Sequence, residues 1–501
     1  MALGVLIYVL LILFVSYFAT RKIRGVKDFY VAGQKMPWYI ILGTYVSANV
    51  SAALFLGFTN LIAGFGWTLW CAFVSTSAGY FLGLGVTAPL ARRLANHYEI
   101  YTLTDFFATR FSSMEKWIRI AMSLIVLFGF IPYITVQSIA ISAVIASVFK
   151  ISFVTALLVG VGIVVVYTVF GGMYAVVWTD FVQFLVIIVT LLVALPVTMA
   201  SLGHGSMSAG WATVLQQAKP TMFKFVAPQW GIALVVGQLI VWTFANPIEP
   251  HMITRGLTAR SEKDIYKAFP LAMVAQLFIY AGIVPLSVAA GMLVKIPKNG
   301  YSMIELATKV MNPALGSLIL AGILAASMST ASTQIAVASQ AISRDFLEKL
   351  IGREIEEKTK LVVARTVVAI ISIGVLVIAL GNPPQIYFLA KWAATIFGSA
   401  FFIPFILGAV WSRVNGKAVF VSMILSVAAT ISVDVYNSVH KTTYFYDGMV
   451  AGMLMSILSV VVLSLLIKPT EDEKKVWRLL RTKPTEENIL TTGAPSVEGS
   501  L

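Results

Sequence analysis

Long apolar stretches alternate with short polar ones along almost the whole chain. Thirteen of the apolar stretches are long enough to cross about 30 Å of hydrocarbon as helices. They cover residues 2–20, 37–60, 66–90, 118–148, 152–170, 175–200, 229–251, 268–294, 313–342, 361–381, 385–411, 418–438 and 447–467. The pattern predicts an all-α membrane protein with about 13 transmembrane helices, in a single transmembrane domain over residues 1–468.

The composition supports this prediction. Of the 501 residues, 59% are hydrophobic and only 12% are charged, which is not the balance of an ordinary soluble domain. The only sizeable polar segment follows Lys468. We expect residues 469–501 to form a cytoplasmic tail that is largely disordered, with a short surface helix in EDEKKVWRLLRTK.

The basic residues are distributed unevenly over the loops. Of the 36 Lys and Arg, 28 lie in one set of alternate loops, seven lie in the other set, and Lys391 lies inside a predicted helix. Because cytoplasmic loops carry the excess of positive charge, we expect the N-terminus outside and the C-terminus inside a cell membrane. The net charge of +14 therefore reflects topology and does not indicate a nucleic-acid partner. We call the side that carries the larger set the basic end; its loops are 21–36, 92–119, 255–267, 344–365, 413–417 and the segment after 467.

The sequence gives no sign of an enzyme. Its four histidines, His97, His204, His251 and His440, are scattered and show no metal-binding spacing. The single cysteine, Cys71, excludes an intrachain disulfide and a cysteine-based metal cluster. We therefore predict no catalytic residues.

Two of the predicted helices contain segments that interrupt a helix. Residues 46–57 (VSANVSAALFLG) are small and polar around Asn49, and residues 244–251 (FANPIEPH) contain Pro247 and Pro250. The second of these helices comes five predicted helices after the first. Because five is an odd number, the two cross the membrane in opposite directions, as an inverted repeat requires. Paired interruptions of this kind indicate the central site of a transporter, although a simple proline kink is the alternative at either one.

Five hydroxyl groups occur within the seven residues from Ser327 to Thr333. Helical spacing puts Ala326, Ser329, Thr330 and Thr333 on one face. Hydroxyl and carbonyl oxygens are suitable ligands for a hard alkali cation. The alternative is that these small residues only pack helices together.

Asp180 is the clearest acidic residue inside a predicted span. A buried carboxylate without a partner is costly, and a bound cation beside it would remove that cost. The alternative is a carboxylate at a helix start near the interface. Glu249, between the two prolines, is expected to pair with a cation, with His251 or with Arg255.

Three motifs together resemble the sodium:solute symporter family, which includes bacterial sodium/proline symporters and sodium/glucose transporters. They are GGMYAVVWTDFVQF, PHMITRGLTARS and LAASMSTASTQIAVASQAISRDF, and the resemblance extends from KDFYVAGQKMPW to about residue 415. The resemblance implies a LeuT-type fold with a five-plus-five inverted repeat, whose core would be at about residues 37–411.

The resemblance also implies where sodium would bind. The main sodium site would use the carbonyl oxygens of Ser47, Val50 and Ala326 with the hydroxyls of Ser329 and Thr330. Some family members have a second site, which here would be formed by Asp180, Ser329, Ser332 and Thr333. Sodium is thus the expected ion.

The solute is harder to predict. The resemblance places it between the two interruptions, at Trp242, Asn246 and Pro250. Proline-transporting members have an aspartate in place of Asn49 and an aromatic residue in place of Asn246, which weakens a transfer of proline specificity. Tyr133 and Gln137 are four residues apart on one helix and could donate hydrogen bonds to a solute or could only pack.

Lys391 points to the chemical class of the solute, if it faces inward. An inward lysine would attract a carboxylate, whereas a lysine near the membrane surface can instead extend to the interface. We predict a sodium-coupled symporter that imports a small carboxylate-bearing solute by alternating access, such as proline, a short monocarboxylate or a carboxylated vitamin. The alternatives are a sodium/sugar symporter, or a non-transporting channel or sensor of the same fold. We expect it to function as a monomer, surrounded by membrane lipid.

Overall fold

The computed structural model describes residues 1–65, 70–217, 226, 231–297, 300–348, 356–381, 386–440 and 448–481. Over these residues every regular element is a helix, and the helices share one large apolar core. The predicted tail is described only as far as Arg481, so the expected disorder of residues 482–501 lies outside the described residues. The first residues of four predicted spans also lie outside them: 66–90, 229–251, 385–411 and 447–467.

The first half of the bundle consists of ten helices and two π-helical turns. The helices are α1 (Ala2–Thr20), α2 (Val26–Val31), α3 (Trp38–Asn49), α4 (Thr59–Phe65), α5 (Trp70–Leu82), α6 (Ala88–Leu94), α7 (Leu103–Arg110), α8 (Glu115–Phe149), α9 (Phe153–Leu202) and α10 (Met207–Gln217). The π-helical turns are Ala53–Phe58, before α4, and Gly83–Thr87, between α5 and α6.

The second half follows a similar alternation of long and short helices. The helices are α11 (Gly231–Phe244), α12 (Pro250–Thr258), α13 (Glu262–Leu293), α14 (Ser302–Glu305), α15 (Pro313–Gln340), α16 (Glu357–Leu380), α17 (Ile386–Phe397), α18 (Ile403–Val410), α19 (Gly416–His440), α20 (Gly448–Leu466) and α21 (Glu471–Arg481). Its π-helical turns are Leu306–Val310, Ala341–Glu348 and Gly398–Phe402.

The number of membrane crossings depends on how the interrupted helices are counted. Over the described residues, ten helices are long and apolar enough to cross, or eleven if the bent pair Trp38–Asn49 and Ala53–Ala63 is one span. One of the ten is α9, whose 50 residues would extend about 75 Å as a straight helix. The figure of about 13 crossings and the outside N-terminus remain predictions.

α9 is divided by a sharp turn at Gly172. The backbone there is non-helical, with φ 46° and ψ −155°. A Cβ atom on this residue would lie 2.5 Å from a ring carbon of Phe29 and 2.7 Å from its carbonyl oxygen. Only glycine fits this combination of positive φ and close approach. The second part of α9, which contains Asp180, can therefore run back into the bundle.

The first interruption lies between α3 and the turn Ala53–Phe58, where the chain bends by 47°. Side chains replace part of the lost helical hydrogen bonding. The backbone N–H of Ala52 donates to Gln137 Oε1 at 2.9 Å, and that of Ala53 donates to Ser51 Oγ at 3.2 Å. The small and polar residues of this segment thus form a stable break rather than a bent helix.

The second interruption lies between the end of α11 at Phe244 and the start of α12 at Pro250. Pro250 occupies the first position of α12, where its missing N–H costs nothing because that group has no helical acceptor. Both interruptions are located where the sequence predicts them, and each divides an apolar stretch into two short halves.

The basic end is held by a buried group of charged side chains. Asp105, on α7, accepts hydrogen bonds from Arg119 Nη1 at 2.9 Å and from Arg344 Nε at 2.8 Å. Asp345 Oδ1 also accepts from Arg119 Nη1, at 3.2 Å. Burial raises the pKa of Asp105, but the guanidinium groups of Arg344 and Arg119 lower it by more, so that this pKa lies below its ordinary value. These ion pairs link α7 and α8 to the turn after α15.

The tail helix α21 packs across the same end. Glu473 is fully buried and accepts a hydrogen bond from Ser113 Oγ at 2.6 Å. Arg110 Nη1 donates to the carbonyl oxygen of Glu473 at 3.1 Å, and Arg93 Nη1 donates to that of Leu480 at 2.8 Å. The helix therefore connects α6 to α7 and to the turn before α8.

Candidate functional site

Two hydroxyl groups of α15 reach across to the first interruption. Ser329 Oγ donates to the carbonyl oxygen of Ser47 at 2.9 Å, and Thr330 Oγ1 donates to that of Ala48 at 2.9 Å. Both hydroxyls also lie 3.1 Å from the carbonyl oxygen of Ala326. All five residues are fully buried. Five oxygen atoms from α3 and α15 therefore converge, and oxygen atoms are the ligands that a hard cation needs when it loses its water.

Four of the five predicted sodium ligands belong to this oxygen cluster: Ser47, Ala326, Ser329 and Thr330. The fifth, Val50, lies just after α3, where the backbone leaves the helix with φ −78° and ψ 85°. On α3, the carbonyl oxygen to which Thr330 donates is that of Ala48, and the family resemblance did not predict this residue. Only its position in the last turn of α3 could have indicated it, because its side chain has no polar atom.

The other three hydroxyls of the stretch each donate to a carbonyl oxygen of their own helix. Ser327 Oγ donates to the carbonyl oxygen of Ile323 at 2.8 Å. Ser332 Oγ and Thr333 Oγ1 both donate to the carbonyl oxygen of Ser329, at 3.1 and 3.2 Å. The five hydroxyls are therefore not equivalent, and Ser329 and Thr330 are the two that donate to carbonyl oxygens of α3.

The carboxylate of Asp180 has a cationic partner within the protein. Its Oδ2 accepts hydrogen bonds from Arg255 Nη2 at 3.0 Å and from Thr44 Oγ1 at 2.6 Å. The same Nη2 atom donates to Thr333 Oγ1 at 2.7 Å. Two residues of the predicted second sodium site, Asp180 and Thr333, thus bind a guanidinium group. The sequence did not reveal Arg255 as this partner, because the two residues are 75 positions apart.

Glu249 and His251 form another buried pair at the second interruption. His251 Nε2 lies 3.6 Å from Glu249 Oε2, and both side chains are 1% exposed. Of the partners that the sequence suggests for Glu249, His251 is the one it contacts, whereas Arg255 pairs with Asp180.

A partly open cavity lies beside the two interruptions. The described lining residues carry hydroxyl, amide, indole and apolar groups and no charge. They are Asn49, Ser51, Ala53, Leu54, Phe58, Ala72, Thr76, Tyr133, Trp242, Asn246, Tyr280 and Tyr387.

Four of the seven predicted solute residues line this cavity: Asn49, Tyr133, Trp242 and Asn246. The other three do not. Gln137 supports the first interruption through the N–H of Ala52, and Pro250 begins α12. Lys391 is half-buried on α17, one turn beyond Tyr387, and lies within electrostatic range of the buried Cys71.

An aromatic cluster borders the cavity on the side away from the basic end. It consists of Phe58, Trp242, Tyr280 and Tyr387, whose ring centroids lie 5.9 to 6.4 Å apart in the contacting pairs. Trp242 Nε1 and the hydroxyl of Tyr387 both donate to Gln238 Oε1, at 2.9 and 2.6 Å. The sequence predicted only Trp242, because aromatic residues in apolar spans are usually packing residues.

One buried amide group of the cavity lining has a donor that no described residue satisfies. Asn246 Nδ2 is buried without a hydrogen-bond acceptor among the described residues. An unsatisfied buried donor costs free energy. A solute with acceptor oxygens, such as a carboxylate, would remove this cost when it binds.

Comparison with known proteins identifies the family. The model of the sodium:solute symporter family matches residues 29–426. The chain belongs to the sodium:solute symporter family. This symporter is 24% identical over 486 residues to a sodium/proline symporter of Haemophilus influenzae, which covers 93% of this chain and 94% of that protein. It is also 24% identical over 462 residues to the high-affinity proline transporter PutP of Bacillus subtilis, covering 91% of this chain and 95% of that protein.

Solved structures show the same fold. A Na⁺-coupled sialic acid symporter in a substrate-bound, outward-open state matches this symporter with a TM-score of 0.79, at 17% identity, over 94% of this chain and 98% of that chain. Mhp1, a nucleobase-cation-symport-1 family transporter, matches with a TM-score of 0.55, at 14% identity, over 90% of this chain and 98% of that chain. The fold is therefore that of LeuT-like transporters.

Family membership decides several of the predictions from sequence. The symporter is a multi-pass plasma membrane protein, and it is a transporter rather than an enzyme. The family implies a small-molecule substrate and, together with the Na⁺-coupled structural neighbour, sodium as the coupling ion.

Proposed function

We propose that this symporter uses the sodium gradient to import a small solute that carries a carboxylate. The main support is the oxygen cluster that joins α3 to α15. The first interruption takes part in this cluster and also supplies Asn49 and Ser51 to the lining of the cavity. Sodium bound at Ser47 and Ser329 would thus hold one wall of the solute cavity in place. By linkage, sodium and solute must then raise each other's affinity by the same factor.

Three features support a carboxylate. The unsatisfied donor of Asn246, which lines the cavity, needs an acceptor oxygen. A sodium ion near the first interruption would add a positive charge next to the cavity. Lys391 is one turn from a lining residue and would add another. The relatives suggest proline or a similar amino acid, but the amide groups of Asn49 and Asn246 keep a short monocarboxylate and a carboxylated vitamin as candidates.

A sodium/sugar symporter is the second candidate. None of the described lining residues carries a charge, and their hydroxyl, amide and aromatic groups also suit a neutral sugar. A channel or a sensor of the same fold would bind ligands but would not accumulate a solute.

The proposed transport cycle has a defined direction. Sodium and solute enter from the outside, which is the side where the distribution of basic residues predicts the N-terminus, and leave at the basic end. The membrane potential contributes about 2.3 kcal/mol per charge per 100 mV. The exposed apolar side chains of the outer helices face lipid, and one chain contains the whole pathway, so a monomer suffices.

A second sodium ion near Asp180 is a conditional part of the proposal. It would have to share the carboxylate with Arg255, and Asp180 Oδ1 is the oxygen that has no hydrogen-bond partner among the described residues. A sodium Hill coefficient near one in the wild-type protein, together with a charge flux of one sodium per solute, would exclude this second ion.

The decisive experiment is uptake into proteoliposomes. Small carboxylates, amino acids and sugars are offered with sodium outside or with potassium outside. We expect accumulation of one class, only with sodium. Equal accumulation with potassium and no proton gradient would contradict the proposal, and accumulation of sugars alone would favour the second candidate.

The sodium site has a matched control on the same helix. Replacing Ser329 and Thr330 together with alanine removes both hydroxyls that cross to α3, so we expect the sodium concentration for half-maximal uptake to rise about tenfold or more. Ser327→Ala removes a hydroxyl that bonds only within α15 and should change it little. A reduced yield of folded protein with unchanged sodium dependence would instead favour a packing role.

A further inference from the structure

Arg255 connects three other helices to α12. Its Nε donates to the carbonyl oxygen of Thr44 at 2.8 Å, and its Nη1 donates within α12 to that of His251 at 2.9 Å. Its Nη2 donates to Asp180 Oδ2 at 3.0 Å and to Thr333 Oγ1 at 2.7 Å. The side chain is fully buried. One guanidinium group thus joins α3, α9, α12 and α15.

The contacts of Arg255 on α3 and on α15 each lie one helical turn from the oxygen cluster that these two helices form. Thr44 precedes Ser47 by three residues on α3, and Thr333 follows Ser329 by four residues on α15. The pair α3 and α15 is therefore held together at two adjacent levels. The cluster of Ser329 and Thr330 forms one level, and Arg255 forms the other, nearer the basic end.

The connected helices differ in how freely they can move. α3 and α12 are the halves of the two interrupted helices that adjoin the basic loops 21–36 and 255–267, and each is separated from its other half by non-helical backbone. α15 is continuous from Pro313 to Gln340. Arg255 therefore fastens two hinged halves to a continuous helix and to the returning part of α9.

We propose that Arg255 is a positioning residue that keeps the basic end closed while sodium is bound. This inference rests on the sodium site of the proposed function. Sodium draws α3 against α15, which brings Thr44 and Thr333 to the distances at which both accept from Arg255. When sodium leaves, the two helices separate, Arg255 loses these acceptors, and α3 and α12 swing away from Asp180. Closure of the basic end and sodium affinity must then support each other equally.

The test uses a reporter cysteine on the pathway that opens. Val177 is buried on α9, three residues from Asp180 towards the basic end. The parent protein carries Cys71→Ala and Val177→Cys and is reconstituted in lipid nanodiscs. The measurement is the rate at which a membrane-impermeant maleimide labels Val177→Cys, with and without sodium. In the parent, sodium should slow this labelling.

Arg255→Gln should remove the protection by sodium. We expect this variant to be labelled at least about tenfold faster than the parent at saturating sodium. The reason is that the closed state, which sodium favours, no longer has the contacts of Arg255 that stabilise it. Labelling as slow as in the parent, with protection by sodium intact, would overturn the proposal.

Arg92 provides a matched control. It is also a buried arginine at the basic end, and it donates to the carbonyl oxygens of Ala259 and Arg260 at 2.7 and 3.0 Å. These partners follow α12 in the chain, so Arg92 does not reach α9 or α15 through them. Arg92→Gln should leave the labelling rate unchanged. An equal acceleration in both variants would mean general loosening and would overturn the proposal.

If Arg255→Gln does not fold, the double variant Asp180→Asn with Arg255→Gln decides the question, because it removes both charges together. Fast labelling in the double variant supports the proposal, and a parent-like rate overturns it. Binding of radioactive sodium to the same samples separates this inference from the proposed function. A parent that binds no sodium would contradict sodium coupling. Normal binding with unchanged labelling in the Arg255 variants would contradict only the role of Arg255.

Discussion

The contacts at the two ends of the central cavity differ in kind. Away from the basic end, the aromatic cluster is joined by neutral hydrogen bonds, in which Trp242 and Tyr387 donate to Gln238. Towards the basic end, the closing contacts are buried ion pairs, first between Arg255 and Asp180 and then around Asp105.

This difference indicates which end opens more easily. A neutral hydrogen bond contributes about 0.5–1.5 kcal/mol net, whereas leaving one charge of a buried ion pair without its partner costs about 3–5 kcal/mol. The aromatic end can therefore open by small side-chain movements, but the basic end needs helices to move and charges to find new partners. In a transporter that must never open at both ends, an ion-dependent closure of the stronger end supplies the required coupling.

The largest effect should come from the charged group around Asp105. Asp105→Asn leaves Arg119 and Arg344 with one buried carboxylate, that of Asp345, and we expect a loss of stability of about 3–5 kcal/mol. The unfolding temperature of the purified protein should fall by several degrees. The measurement is thermal unfolding in detergent, monitored by tryptophan fluorescence.

Glu115 gives the control for this prediction. It also pairs with Arg119, at 2.9 Å, but its side chain is 51% exposed. Exposed pairs contribute about 0–1 kcal/mol, so Glu115→Gln should hardly change the unfolding temperature. Equal effects of the two substitutions would show that burial does not distinguish these pairs.

A smaller effect is expected where the tail helix crosses the basic end. Glu473→Ala leaves the hydroxyl of Ser113 and the N–H of Gly416 without their acceptor, which costs about 1–3 kcal/mol. Because this contact lies at the edge of the bundle, the loss should appear locally, as faster hydrogen–deuterium exchange in α21. Glu471→Ala, on the exposed side of the same helix, should leave the exchange unchanged. Unaltered exchange in both variants would mean that Glu473 does not anchor the helix.

The sequence predicted the neutral part of the site better than its charged part. Ser329 and Thr330 could be found because helical spacing and the interruption near Asn49 are local patterns. Arg255 could not be found in this way, because its acceptors Thr44 and Thr333 are separated from it by long segments that only the fold brings together.

The fold was predictable for a similar reason. Apolar length predicts where helices lie, and small residues or prolines predict where they break. Neither pattern indicates which apolar side chains face the cavity. Tyr280 and Tyr387 line it, yet in sequence they resemble the aromatic residues that are exposed on the outside of the bundle, such as Tyr17 and Phe18.

At the aromatic end, Tyr387→Phe removes one hydroxyl that donates to Gln238 and accepts from Trp242. The loss of a neutral hydrogen bond should raise the solute concentration for half-maximal uptake by about two- to tenfold. Sodium binding without solute should not change. Tyr436→Phe, at an exposed tyrosine, is the control. A change in sodium binding in Tyr387→Phe would contradict the separation of the two ends.

The smallest effect is expected at Thr76, whose hydroxyl lies 3.1 Å from that of Tyr280. The ring of Tyr280 also contacts Phe58 and Phe73, with centroid distances of 5.9 and 5.6 Å. Thr76→Val keeps the side-chain shape, and because these rings hold Tyr280 in place, solute affinity should fall only about twofold. Solute-dependent thermal shifts measure this change. A tenfold loss of solute affinity would mean that hydrogen bonds rather than ring packing position the aromatic cluster. The contrast between the neutral aromatic end and the charged basic end would then be weaker.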